Sequence, residues 1–417
     1  MIFHAPSCGH WDPAGYAQRC FLKQQVPSHL RVRARPRLQA CEPPARRRPG
    51  ARCQRVQHAC PQRFSVPWES LGDVVRLMDS TTAEHLRHLA EHLDEHAATL
   101  IIDADTHATD TASLTGPLRE RYQAAEGYYH GRPVSAEDLL CEMGGAGIDM
   151  ALIWQNPAAT ANSDSAEENT AALLAANAYI RDAARRFPSR FIPAGWIDPK
   201  ACGFRGAIRM AETCIQKFGF PIVKMNPAQN RYPIDSLEVM ALMDRIVELG
   251  AVPAFHFGAD TPFTPAVGLA RVAARHPNHP ILAVHMGGGG AAYDAAESTY
   301  QAARVLGLAQ PNIRFILSAK RDTHIESDLI QYQLAGEPFC RNLFCGSDAP
   351  YGRMAWNFGG YRWMFQTLID GANHTDARVR SHPGLFTPAV AQNYMGGNFA
   401  NFAAAACRRL LRVQAGT

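Results

Sequence analysis

The 417-residue sequence lacks any unbroken apolar run of about 18 residues, so no membrane-spanning helix is expected. It also lacks a basic stretch leading into a short apolar core near its start, which argues against a standard secretory leader. None of its 11 cysteines forms a CxxC pair, which excludes the common zinc-ribbon and thioredoxin patterns. Acidic residues are nearly absent from residues 1–65, where eleven Arg and one Lys face only Asp12 and Glu42. Subtracting these from the chain's 42 basic and 38 acidic residues leaves 30 against 36, a mildly acidic body with no sign of a nucleic-acid partner.

What is present divides the chain. Residues 1–65 are rich in Pro, Arg, Cys and Gln and hold no helical or strand period for long. A basic interaction arm or an Arg-rich transit peptide is one reading, and a disordered extension or over-long translated start is the plainer one. Cys141, Cys202, Cys214, Cys340, Cys345 and Cys407 are scattered singly through the rest, as in a reducing cytoplasm. Residues 66–98 read as a helical lead-in. Within "MDSTTAEHLRHLAEHLDEH", Thr81 and Glu84 fit a capping box, and Leu86, Leu89 and Leu93 mark a helical stripe. His85, His88, His92 and His96 follow the polar side of that stripe, which suits a solvated face better than a ligand set.

From residue 99 to 417 the pattern changes. Eight short apolar runs recur: "TLIIDAD", "MALIWQ", "RFIPAGW", "FPIVKM", "VPAFHF", "ILAVHM", "IRFILS" and "NLFCGSD". From the third onward they begin about 30 residues apart, with helix-like segments such as "SLEVMALMDRIVELG" between them. Eight buried strands alternating with helices predict an α/β fold, a distorted (β/α)8 TIM-type barrel. A doubly wound open sheet is the competing arrangement, but it does not need eight strands. The long gap after the first run carries Arg119, Arg121, Tyr122, Tyr128, Tyr129, His130 and Arg132, a candidate lid or an ordinary polar insertion.

Polar residues fall at the ends of these runs. In "IIDADTH", Asp105 and His107 are two apart, so a strand points both side chains to one side. Lys224 ends the fourth run, His256 the fifth, His285 the sixth and Asp348 the eighth. Each alone has a plain reading as a hydrogen-bonded core residue or a turn residue. In a closed barrel they share one cup, where such groups are costly to desolvate unless paired or bound to a cation. Nitrogen and oxygen donors in this mixture suit Zn2+, Fe2+ or Mn2+.

On these runs, together with "NAYIRDAARRFPSRFIPAGWIDP", "HPILAVHMGG", "NLFCGSDAPYG" and "GGNFANF", the chain resembles the metal-dependent amidohydrolase superfamily. The likeness is to its second family, related to aminocarboxymuconate-semialdehyde decarboxylase, over about residues 99–405. The resemblance implies one divalent metal, zinc first, held by Asp105, His107, His256 and Asp348, with Asp348 and His285 as catalytic groups. Asp105 departs from the family, which more often has His or Glu there. Arg119, Arg121 and Lys224 are candidate substrate contacts, although Lys224 also reads as structural.

The implied activity is a lyase, a decarboxylase of an aromatic or muconate-like acid. A hydrolase of an amide, lactone or cyclic imide would use the same residues. A two-metal iron or manganese oxygenase is a third reading, kept open by His324, Glu326 and Asp328 in "SAKRDTHIESD", which also read as a polar loop. "HMGGGG" lacks Walker spacing and reads as close backbone packing. A small-molecule substrate, no nucleic acid or membrane partner, a cytoplasmic setting and a homodimer complete the expectations.

Overall fold

The computed structural model describes residues 78–123, 132–160, 163–258, 262–288 and 297–416. The basic segment 1–65 and much of the lead-in lie outside the described residues, as do Tyr128, Tyr129 and His130 of the first long loop.

The lead-in helix α1 (Ser80–His96) starts two residues earlier than the capping box predicts. Asp79, not Thr81, is the N-cap, and its Oδ1 accepts from the Thr82 backbone N–H at 2.7 Å. Leu86, Leu89 and Leu93 are buried as the stripe requires, while His88 is exposed and His85, His92 and His96 are half-buried. Helix α1 packs against the C-terminal helix α2 (Asn398–Gly416).

All eight expected strands are present and parallel: β1 (Ile102–Ala108), β2 (Met150–Gln155), β3 (Phe191–Pro193, resumed after Ala194 as Gly195–Ile197), β4 (Ile222–Met225), β5 (Val252–His256), β6 (Ile281–Val284), β7 (Ile313–Ile316) and β8 (Leu343–Phe344). Most strand residues are buried on both faces, which explains why the runs are nearly continuous in apolar character rather than alternating. The Ala194 break divides the ladder into three-stranded and six-stranded pieces.

The ring is closed by the chain just past β8. Ala104 N–H donates to the Cys345 carbonyl (3.0 Å), Asp348 N–H to the Asp105 carbonyl (2.9 Å) and His107 N–H to the Ala349 carbonyl (2.7 Å). Gly346 permits this approach, because a Cβ there would lie 3.1 Å from the Asp105 Cβ and 2.7 Å from Ile316 Cγ2. The protein is therefore a (β/α)8 barrel. Closure brings the first and last strand ends, each carrying an acid, side by side. No helix among the described residues is long and apolar enough to cross a membrane.

Candidate metal centre

Asp105 lies at the centre of the strand ends and is fully buried. Its Oδ1 accepts from Trp154 Nε1 at 2.8 Å and lies 3.6 Å from Lys224 Nζ. Its Oδ2 accepts from the Ser318 hydroxyl at 2.6 Å. Burial alone would raise its pKa, but Lys224, the neighbouring imidazoles and the Ser318 hydrogen bond hold it well below the usual carboxylate range. Lys224 is itself buried, with its ammonium over the rings of Trp154 (4.5 Å) and Trp196 (5.0 Å).

Two imidazoles flank this carboxylate, and their hydrogen bonds fix their tautomers. His107 Nδ1 lies 2.9 Å from the Gln155 carbonyl, which can only accept, so Nδ1 carries the proton. The Nε2 of His107 then faces Asp348 Oδ1 at 3.5 Å and Asp105 Oδ1 at 3.9 Å. His285 Nδ1 lies 2.9 Å from Ser318 Oγ. Because Ser318 spends its proton on Asp105, it accepts from His285, and the His285 Nε2 has no hydrogen-bond partner among the described residues. Burial pushes the His285 pKa down to about 4, which keeps the ring neutral at pH 7. The His256 ring lies edge-on to His285, centroids 4.6 Å apart.

Asp348 completes the group. Its φ of +61° and the φ of +80° at His285 place two non-glycine residues in left-handed backbone, a cost that functional sites commonly carry. Donor atoms of Asp105, His285 and Asp348 lie within 4.8 Å of one another. The donor set fits a divalent cation: two carboxylates, with imidazoles whose Nδ1 atoms are tied to wall groups so that Nε2 faces the carboxylates. Around it, Trp196 and Tyr351 set ring edges or faces against His107 at centroid distances of 5.9 and 5.5 Å.

The sequence therefore located residues that do meet: Asp105, His107, Lys224, His256, His285 and Asp348. Arg119 is exposed and its Nη1 donates to the Leu114 carbonyl at 3.3 Å, a contact within its own loop. Arg121 falls in the helix Gly116–Gln123, and its side chain lies outside the described residues. The residues after the seventh run form a helix, Asp322–Ala335, rather than a polar loop. There Asp328 pairs with Lys320 and Arg304, Glu326 with His374, and His324 packs on Tyr300. The turn after His285 packs as expected: a Cβ on Gly288 would lie 2.6 Å from the Ala319 carbonyl oxygen. Sequence reasoning missed Ser318 and Trp154. Ser318 follows the seventh run in "IRFILS", where a hydroxyl ending an apolar strand was the available signal.

Residues 102–353 match the family model described as Amidohydrolase. The chain belongs to this family, and with it to a class of metal-dependent enzymes. No curated protein matches it. Among solved structures, it is similar to 5-carboxyvanillate decarboxylase from Sphingomonas paucimobilis at 16% identity and a TM-score of 0.50, over 72% of this chain and 98% of that one. It is also similar to 2,6-dihydroxybenzoate decarboxylase from Rhizobium (13%, TM-score 0.46, 69% and 97%) and to an uncharacterized TIM-barrel protein from Bordetella bronchiseptica (16%, 0.47, 73% and 99%). At such identities the likeness is one of fold.

Proposed function

We propose that this protein is a metal-dependent carboxy-lyase that removes CO2 from an aromatic or muconate-like carboxylic acid. The observation that carries the reading is the meeting of Asp348 with His107, His285 and Asp105 in one buried cup flanked by Trp196 and Tyr351. Asp105, His107, His256 and Asp348 would hold one divalent cation, zinc in the first instance, with manganese or iron equally compatible with the donors. When bound, that cation supplies positive charge that orients the substrate carboxylate and its neighbouring oxygen.

The chain's own groups then divide the work. Asp348 is the group that hands a proton to the carbon that bears the carboxylate. The bond from that carbon to the carboxylate breaks, its electron pair returns to the conjugated system, CO2 leaves, and solvent reprotonates Asp348. His285, neutral and fixed by Ser318, offers its Nε2 as the acceptor that relays protons to Asp348. The aromatic rings exclude water, and Lys224 balances Asp105 so that the cup does not carry two uncompensated acids.

The test is a panel of hydroxybenzoates and muconate-type acids incubated with purified protein, following CO2, alongside elemental analysis of bound metal. The 5-carboxyvanillate decarboxylase among the similar folds suggests an aromatic acid as the first substrate. CO2 release that disappears in Asp348→Asn with metal retained supports the lyase. Solvent oxygen incorporated into an opened amide or lactone, without CO2, replaces it with the hydrolase, which would use the same cup. The proposed setting is a cytoplasmic homodimer, and light scattering in solution checks the second half.

A further inference from the structure

A cleft of about 500 Å3 opens at the end of the barrel opposite the cup. Its walls come from the segments entering β6, β7 and β8 and from helix α2. Arg314, Arg341 and Arg409 line it, and no Asp or Glu does among the described residues. This is unusual in a body where acidic residues outnumber basic ones, 36 to 30 after residue 65.

The guanidiniums are not used up by the fold. Arg341 is exposed at the rim, where it pairs with Glu337. Arg314 donates to the Pro311 carbonyl, and Arg409 has an Nη1 that finds no acceptor among the described residues. Neither Arg314 nor Arg409 has a carboxylate partner among the described residues. Burial and the nearby Arg409 push the Arg314 pKa down to about 10, and burial with Arg412 lowers that of Arg409. The fold holds like charges together and partly out of water, which costs free energy unless an anion compensates it.

The frame around them is stiff. Pro277, Pro280, Pro311 and Pro338 fix the loop backbone at four points. Asn312 ties down the carbonyls of Ala273, His276 and His279 (3.0, 3.2 and 3.3 Å), and Asn398 ties down that of Cys340 (3.0 Å). With these carbonyls taken by asparagine amides, the arginine donors stay available. Phe402 adds an apolar wall. The volume is that of a small-molecule site rather than of a single inorganic ion.

The geometry points to a second binding site, in which Arg314 and Arg409, with Arg341 at the rim, hold a small organic molecule bearing two or more phosphate or carboxylate groups. Guanidinium forks match both groups through paired N–H···O bonds. The site lies at the barrel end away from the chemistry, so its occupant is a ligand distinct from the substrate.

Benzene-1,3-disulfonate is a suitable probe, because it carries two oxyanions on an apolar ring and does not strip a metal from the cup. Calorimetric titration of the full chain at constant ionic strength reads its binding. The expected result is saturable binding that weakens roughly tenfold or more in Arg314→Gln and in Arg409→Gln, the loss of one charge-assisted contact. Arg341→Gln, at an exposed position, should weaken it without disturbing the fold, and so keeps the test decisive if a buried variant unfolds. His107→Ala, altering the cup, should leave it intact. Binding that persists in all three arginine variants, disappears in His107→Ala, or is matched by chloride at equal ionic strength overturns the proposal.

Discussion

Ser318 donates its hydroxyl proton to Asp105 Oδ2 at 2.6 Å and in turn accepts from His285 Nδ1 at 2.9 Å. One side chain on the seventh strand end thus links an acid from the first strand to an imidazole from the sixth. Ser318→Ala removes the acceptor that selects the His285 tautomer and leaves a buried ring N–H unpaired. It also removes the hydroxyl that orients Asp105, a proposed ligand, so metal affinity, measured by competition with a chromogenic chelator, should fall about 10–100-fold, the usual cost of losing such support. Ser318→Thr, which keeps the hydroxyl, should recover most of it. Equal loss in both variants would assign the residue to packing alone.

Lys224 and Asp105 form a second linked pair, 3.6 Å apart and both buried. Lys224→Met leaves the Asp105 carboxylate without its ammonium and should destabilise the protein by about 3–5 kcal/mol in urea unfolding. Adding Asp105→Asn removes the stranded charge, so the double variant should regain part of that loss. Additive effects would show that the two side chains do not communicate.

The barrel was legible because parallel strands buried on both faces leave long apolar runs, and polar residues at their ends then stand out. Asp105, His107, His256, His285 and Asp348 were found in this way. Ser318 and Trp154 were not, because a serine or tryptophan at a strand end costs little to bury and its role depends on which strand lies across from it. The helix cap went to Asp79 over Thr81 because both residues sit in one run of cap formers, "DSTT", and the tertiary register decides among them. The acidic residues after the seventh run illustrate the same limit. Spacing placed His324, Glu326 and Asp328 near one another, but only the packed helix shows Asp328 turned toward Lys320 and Arg304.

That buried triad gives a third expectation. Asp328 is fully buried with both carboxylate oxygens engaged, one by Lys320 and the other by Arg304 at 2.5 Å. Asp328→Ala strands two cations and should cost about 3–5 kcal/mol of stability. Metal stoichiometry should stay the same as in the parent protein, because the triad does not join the cup. A drop from two ions to one would instead revive the two-metal reading.

Glu142 supplies the pH dependence. It lies in the helix Ala136–Ala146, and its Oε1 accepts from the Met354 backbone N–H at 3.0 Å, with Arg353 Nε 3.9 Å away. Burial pushes its pKa up to about 7 from an ordinary 4.5, despite the pull of Arg353. In this case the folded state binds the proton more tightly than the unfolded state. Between about pH 4.5 and 7 the folded chain keeps a proton that the unfolded chain has released, so stability falls as pH rises through that window. Above it the full penalty of a half-buried carboxylate is present. Glu142→Gln keeps an amide oxygen for Met354 and removes the charge. Its melting temperature should match the parent near pH 4.5 and exceed it at pH 8. A variant that is less stable than the parent at pH 8 would mean that the attraction to Arg353 outweighs burial.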